Sequence, residues 1–172
     1  MKSLKQDLAS QLHKAKRVLV LGVGSELRAD DAAGVIVAKN LTSFKPSKKS
    51  AVKFLSIIGE TAPENFTGDI KKFKPTHLVI VDSADMGKVP GSVGIFDAKN
   101  ELYGVSFCTH SLPIKVMNDY LLNFIKCEII LIGIQPKLIK FGKPCSSIIR
   151  KTSVELADLL KDIINQKNFV GN

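Results

Sequence analysis

The chain has 172 residues, of which 45% are hydrophobic and 24% are charged, a balance typical of a globular protein that argues against a disordered one. Its net charge of +9 could indicate a nucleic acid or another acidic partner. The lysines, however, are scattered over stretches that resemble loops and helix surfaces, and the chain has no Trp to stack on bases. A solvated lysine-rich surface is therefore favoured over a nucleic-acid site. The first residues lack the apolar core of a signal peptide, and no apolar run approaches the roughly 20 residues of a membrane span, which predicts a cytoplasmic protein without membrane insertion.

The first half of the chain predicts helices that alternate with strands. Leu4, Leu8 and Leu12 recur at helical spacing and predict an amphipathic helix over 3–16. The elements expected after it are a strand over 17–23, a helix over 32–41, a strand over 51–58, a helix over 63–74 and a strand over 77–81.

The second half continues the alternation. We expect a strand over 92–96, a helix over 111–126, a strongly apolar strand over 127–134 and a closing helix over 147–166. Strands that alternate with helices and are almost wholly apolar indicate a sheet buried on both faces. The predicted fold class is therefore α/β, with a mostly parallel sheet in one three-layer α/β/α domain over 1–172.

A glycine-rich turn follows the first predicted strand. Gly22 and Gly24 suggest a dinucleotide-binding loop, but Leu27 stands where a third small residue is needed. Asp30 and Asp31 follow where a phosphate would need backbone N–H groups. A nucleotide-binding α/β protein is therefore a disfavoured alternative.

Three side chains are candidates for one site. Ligands gather at the carboxyl ends of parallel strands, so Asp31 and Asp82 converge if the first and third strands are neighbours. His110 precedes the predicted helix over 111–126, whose positive end favours the neutral imidazole that binds metals. Structural roles are the alternatives: Asp31 could be a helix N-cap, Asp82 could cap the loop after its strand, and His110 could satisfy a helix end.

Other residue types suggest no competing chemistry. Three cysteines without a C-x-x-C pair make a disulfide framework or an all-thiolate zinc site improbable. Cys127 lies in an apolar run and is interpreted as a small buried hydrophobe. His13 and His77 are interpreted as structural or exposed, and no serine or cysteine nucleophile with a partnered base is visible.

Five blocks of the chain resemble, in the same order, motifs of the nickel–iron hydrogenase maturation endopeptidases. The first block, GVGSELRADDAAG, resembles the family's G-x-G-N-x-L-x-x-D-D/E-x-x-G. The remaining blocks are GETAPEN (59–65), LVIVDSADMG (78–87), THSLP (109–113) and LIGIQP (131–136). The Ala-Pro-Glu-Asn and Gly-Ile-Gln-Pro segments are most similar to the branch that serves formate-hydrogenlyase-type hydrogenases.

This resemblance implies a fold and an activity. The fold would be a mixed sheet of about five strands, one of them antiparallel, with residues 1–16 as an N-terminal helical extension. The activity would be that of an endopeptidase that removes the C-terminal extension from the nickel-loaded large-subunit precursor of a hydrogenase. The precursor would be its partner, and a monomer is expected. The alternative from another class is a checkpoint or chaperone that binds the precursor without cleaving it.

The family's metal ligands carry over onto Asp31, Asp82 and His110, which the resemblance also makes the catalytic residues. Two carboxylates and an imidazole form an incomplete shell that divalent first-row metals accept, and without a thiolate they should bind only moderately. The nickel would then be shared with or supplied by the precursor and would serve as a recognition element, while zinc or cadmium could occupy the site in vitro.

The chain departs from the family pattern at three positions near this site. Ser25 replaces the usual Asn, and its hydroxyl could still form a hydrogen bond to the backbone. Ala32 replaces a common Gly, at little cost unless that position needs a positive φ. Glu60 stands where Gly is frequent and adds a carboxylate near the expected cleft.

Overall fold

Apolar runs of the sequence form the strands of one mixed sheet in the computed structural model, which describes residues 2–97, 106–107 and 126–166. The strands are β1 (Arg17–Val23), β2 (Lys53–Glu60), β3 (His77–Asp85), β4 (Val93–Asp97), β5 (Ser106–Phe107) and β6 (Glu128–Ile134). The α-helices are α1 (Lys2–Gln11), α2 (Ala33–Leu41), α3 (Thr67–Phe73) and α4 (Ser147–Asn165). Short 3-10 helices cover Ala29–Ala32 and Pro63–Phe66.

The strand order places the end of β1 beside β3. The order is β2-β1-β3-β6-β4, and the two-residue β5 pairs with β3. The pairs β1–β2, β1–β3 and β3–β6 are parallel, whereas β4 is antiparallel to β6. The first and third strands are therefore neighbours, which is the condition under which the sequence predicts that Asp31 and Asp82 converge. Because the chain moves to one side of β1 to form β2 and to the other side to form β3, the carboxyl ends of β1 and β3 meet where the winding reverses.

Helices cover both faces of the sheet. One core cluster joins strand residues to α1, α2 and α4, and it includes Leu8 of α1, Leu12 directly after α1, and Leu160 of α4. A second cluster joins the opposite strand faces to Ile70 of α3. Burial on both faces explains why β1 and β3 read as almost continuous apolar runs. The three-layer α/β/α architecture is confirmed, while the helix predicted over 111–126 lies outside the described residues except for its last position.

Some element boundaries differ from the prediction. The strand predicted over 77–81 continues to Asp85, because its ladder with β6 runs through Asp82 and Ser83 and its last residues pair with β5. The first helix ends at Gln11 rather than at residue 16. The segment predicted as one helix over 63–74 is a 3-10 turn followed by α3.

Two glycines allow α2 to lie directly against the sheet. A Cβ on Gly22 would lie 2.1 Å from the carbonyl oxygen of Gly34, and a Cβ on Gly34 would lie 2.0 Å from that of Val81. No side chain fits at such distances, so the glycine spacing serves close packing of the helix on β1 and β3. In the part of the chain described here, no helix is both long and apolar enough to cross a membrane.

Candidate functional site

Asp31 and Asp82 lie together at the carboxyl edge of β1 and β3. Asp31 belongs to the 3-10 turn that follows β1, and Asp82 lies within β3. Both residues are fully buried, with 0% of their surface exposed. Gly24 lies between them, because a Cβ there would be 1.8 Å from the backbone oxygen of Asp31 and 3.7 Å from Oδ1 of Asp82. The fold therefore brings two of the three predicted side chains into one buried place.

Ser83 connects the two carboxylates. Its hydroxyl donates to Oδ1 of Asp31 at 3.1 Å, and its backbone N–H donates to Oδ1 of Asp82 at 2.7 Å. Oδ2 of Asp82 is buried and accepts no hydrogen bond from any described residue. Sequence analysis missed Ser83, and its position directly after Asp82 was the only signal for it.

Neither acid is a simple helix cap. The N-cap position of α2 is occupied by Ala32 and makes no side-chain hydrogen bond. Asp82 does not end its strand, because β3 continues to Asp85. The capping alternatives considered from the sequence are therefore wrong for both residues.

The environment of Asp82 disfavours its charged form. Burial, and then the nearby charge of Asp31, raise the pKa of Asp82 from 3.8 to about 8, while the hydrogen bond from the Ser83 N–H acts in the opposite direction. A cation bound beside the two carboxylates would relieve both costs, and the unused Oδ2 of Asp82 gives such a cation a ligand atom. The residues present therefore fit a divalent metal.

The metal-free protein is expected to lose stability as the pH rises towards 8. Because the pKa of Asp82 is about 8 in the fold against an ordinary 3.8, the unfolded chain releases a proton that the folded chain keeps. The free energy of unfolding should fall by up to about 1.4 kcal/mol per pH unit between these two values. We expect urea unfolding in the presence of a chelator, from about pH 5 to 9, to show that the free energy of unfolding of Asp82→Asn increases relative to that of the wild type as the pH rises.

The matched control is Asp69→Asn, which removes an exposed acid of α3. If the wild type and Asp82→Asn gave parallel stability curves over that pH range, Asp82 would not be held neutral by its surroundings.

Asp30 has a different role from Asp31. Its carboxylate is fully buried and accepts hydrogen bonds from the backbone N–H groups of Lys137, Leu138 and Ser146 at 2.9, 2.8 and 2.6 Å. The Ser146 hydroxyl adds a fourth bond at 3.0 Å. Asp30 therefore fastens the loop between β6 and α4 to the turn that carries Asp31.

Gln135, from the Gly-Ile-Gln-Pro block, holds the loop that follows β3. Its Oε1 accepts from the backbone N–H groups of Met86 and Lys88 at 2.7 and 3.2 Å. Its amide nitrogen donates to Asp85 at 3.1 Å. The Gly-Ile-Gln-Pro block thus fixes the end of β3 and the first residues of the loop after it, which follow Asp82 in the chain.

The glycine turn leaves no room for a phosphate. Gly24 has a φ of 130°, and the carbonyl oxygen of Asp31 fills the space beside it. The Gly24 N–H donates to the carbonyl of Glu60, and the Ser25 N–H donates to that of Asp31. The backbone donors that a nucleotide would need are therefore already used.

The three departures from the family pattern have local explanations. The Ser25 hydroxyl accepts from the Leu27 N–H at 3.3 Å, which confirms that it can bond the backbone. Ala32 has a φ of −67°, so no glycine is required there. Glu60 has a φ of 48°, a left-handed conformation that explains why glycine suits this position, and its side chain is exposed.

His110 lies outside the described residues. Within residues 2–97 and 126–166, no three His, Cys, Asp or Glu side chains are grouped so that they could hold a metal ion. The other two histidines do not join the two acids. His77 is buried at the amino-terminal end of β3, the end opposite to Asp82, and His13 is exposed after α1. The described part of the chain thus contributes two carboxylates to the candidate site.

The described cysteines are not activated nucleophiles. Cys127 is buried beside β6, as expected. Burial, followed by the charge of Asp30 and a hydrogen bond to it, raises the pKa of the Cys145 thiol to about 11, so this thiol is protonated at neutral pH. Covalent catalysis by either side chain is disfavoured.

Comparison with known proteins finds similarity to hydrogenase maturation proteases. A family model described as hydrogenase maturation protease, HycI, matches residues 37–165. A protein of Methanocaldococcus jannaschii named as a hydrogenase maturation protease is 38% identical over 166 residues, covering 95% of this chain and 97% of the relative. The hydrogenase 3 maturation protease of Escherichia coli is 33% identical over 132 residues, covering 77% of this chain and 81% of the relative. The crystal structure of the nickel–iron hydrogenase maturation protease HycI from Thermococcus kodakarensis matches with a TM-score of 0.81 and 30% identity, covering 92% of this chain and 98% of that one.

Proposed function

Because the chain belongs to the HycI family of hydrogenase maturation proteases, we propose that this peptide hydrolase removes the C-terminal extension from the nickel-loaded large-subunit precursor of a nickel–iron hydrogenase. The observation that carries the proposal is the buried pair of Asp31 and Asp82, with one oxygen of Asp82 that accepts no hydrogen bond from the described residues. Such an oxygen suits a cation that arrives with the substrate.

Asp31, Asp82 and His110 are the proposed ligands for the precursor's nickel. Two carboxylates and one imidazole would leave coordination positions that the precursor's own ligands complete, so binding depends on a loaded substrate. Nickel held by these residues would supply a Lewis acid for peptide hydrolysis. Ser83 orients Asp31 through its hydroxyl, and Asp82 would bind the cation as a carboxylate.

A metal-dependent route agrees with the remaining chemistry of the described residues. The Cys145 thiol is protonated at neutral pH, and the Ser83 hydroxyl donates to a carboxylate with no histidine base bonded to it in the described part of the chain. Hydrolysis without a covalent intermediate on the enzyme is therefore proposed.

The decisive experiment compares nickel-loaded and nickel-free precursor. Incubation with the protein, followed by mass spectrometry of the products, should show a shortened large subunit and a released peptide only from the loaded form. The matched control is Asp82→Asn, which should leave the loaded precursor intact. Equally fast cleavage of the nickel-free precursor would refute nickel recognition, and binding without cleavage would identify a checkpoint protein.

A further inference from the structure

Exposed apolar side chains cluster on two loops next to the buried acids. Leu27, Leu138 and Phe141 are 64%, 44% and 73% exposed, and they are three of the five large exposed hydrophobic residues in the described part of the chain. Leu27 lies on the turn after β1, and the other two lie on the loop between β6 and α4. We call these three side chains the apolar patch.

Backbone hydrogen bonds hold the two loops of the apolar patch together. The Gly142 N–H donates to the carbonyl of Leu27 at 2.8 Å, and the Asp30 N–H donates to that of Leu138 at 3.1 Å. A third bond joins the Ala29 N–H to the carbonyl of Lys143 at 3.1 Å. The carboxylate of Asp30 adds four more bonds to the same loop. The apolar patch is therefore presented by a fixed backbone that needs little ordering when a partner binds.

The same loops carry a positive charge. Lys137 and Lys140 are exposed and Arg28 is partly exposed. The acids of these loops are engaged elsewhere: Glu26 forms a salt bridge with Lys39, and Asp30 is buried in its hydrogen bonds. An apolar centre among basic side chains fits a partner surface that is apolar and acidic.

We infer that the apolar patch and its basic neighbours dock the folded body of the large-subunit precursor through an acidic, partly apolar surface, while the precursor's tail reaches the buried acids. This inference rests on the proposed function. Leu27 and Asp31 belong to the same turn, and Asp30 joins that turn to the loop that carries Leu138 and Phe141, so the apolar patch borders the backbone that positions Asp31. The exposed part of these apolar side chains adds nothing to the stability of the free protein, whereas its burial against a partner would contribute to binding.

The test measures the dissociation constant of the nickel-loaded precursor by calorimetry. The variants are Leu27→Ser with Phe141→Ser, and separately Lys140→Glu. Each should weaken binding by about tenfold or more, and KM should rise while kcat stays unchanged. The controls are Val89→Ser, which removes a side chain that is 76% exposed on another loop, and Lys53→Glu at the opposite end of the sheet.

Raised salt should weaken wild-type binding and should affect Lys140→Glu less, because one attraction is then missing. Unchanged dissociation constants for both patch variants would overturn the docking inference. Failure of the wild type to shorten the loaded precursor would instead overturn the proposed function, and the dissociation constants would still test docking independently. Absence of binding by the wild type would overturn both.

Discussion

Replacing Asp82 with asparagine is expected to lower kcat/KM for the nickel-loaded precursor by on the order of a thousandfold, because a proposed ligand of the nickel loses its charge. Asp31→Asn and His110→Ala should have effects of the same order. Asparagine is close to aspartate in shape, so the buried packing around the two acids is retained. The loss should therefore appear in activity and not in folding.

The measurement is the initial rate of precursor shortening, followed by mass spectrometry, with circular dichroism as the check on folding. Serine-protease inhibitors and thiol alkylation should leave the wild-type rate unchanged, since no serine or cysteine nucleophile is proposed. The matched control is Ser153→Ala, which alters a buried polar side chain of α4 whose hydroxyl has no hydrogen-bond partner among the described residues. If the triple alanine variant at Asp31, Asp82 and His110 still cleaved the precursor, these residues would have structural roles only.

Asp30→Ala is expected to destabilise the fold by about 3 kcal/mol or more, because three backbone N–H groups lose their acceptor at once and each unsatisfied group costs about 1–3 kcal/mol. The loop that Asp30 fastens would also separate from the turn that carries Asp31. Asp31→Ala is the natural comparison. It leaves one buried hydroxyl, that of Ser83, without its acceptor but also removes one of two neighbouring buried carboxylates, so its effect on stability should be smaller than that of Asp30→Ala.

Urea unfolding of the two alanine variants at one pH measures this contrast. The two variants should differ in what they lose. Asp30→Ala should lose stability, whereas Asp31→Ala should lose activity and remain folded. A stability loss that is equal for the two variants would contradict the division of roles between them. The free energy of unfolding of Asp30→Asn should lie between those of the wild type and Asp30→Ala. The asparagine amide keeps one acceptor oxygen, but its NH2 group replaces the other oxygen and cannot accept a hydrogen bond from a backbone N–H.

Much of the fold could be predicted from the residues themselves. Apolar runs flanked by polar loops are sufficient to predict β1, β3 and β6, since a sheet covered on both faces requires such runs. The same argument places Asp31 after β1 and Asp82 towards the carboxyl end of β3, and a rule for parallel sheets then predicts that they meet if the two strands are neighbours. The mismatch with a nucleotide-binding turn was also visible, because Leu27 and two carboxylates are incompatible with a bound phosphate.

Only the tertiary structure separates Asp30 from Asp31. The two residues are identical and adjacent, yet the loop over 137–146 supplies backbone donors to Asp30, whereas Ser83 of β3 supplies a hydroxyl to Asp31. These partners are more than fifty residues away in sequence. Neither periodicity nor composition carries information about such contacts, because a carboxylate's role depends on the donors that surround it.

The same reason applies to the apolar patch and to the pKa of Asp82. Leu27 and Phe141 are ordinary loop residues in the sequence, and they lie on one surface because backbone hydrogen bonds join their loops. Asp82 acquires a raised pKa because the whole sheet excludes water from it and the turn after β1 brings Asp31 near. Local sequence determines which segments become strands and helices, whereas burial and charge at one atom depend on every element packed around it.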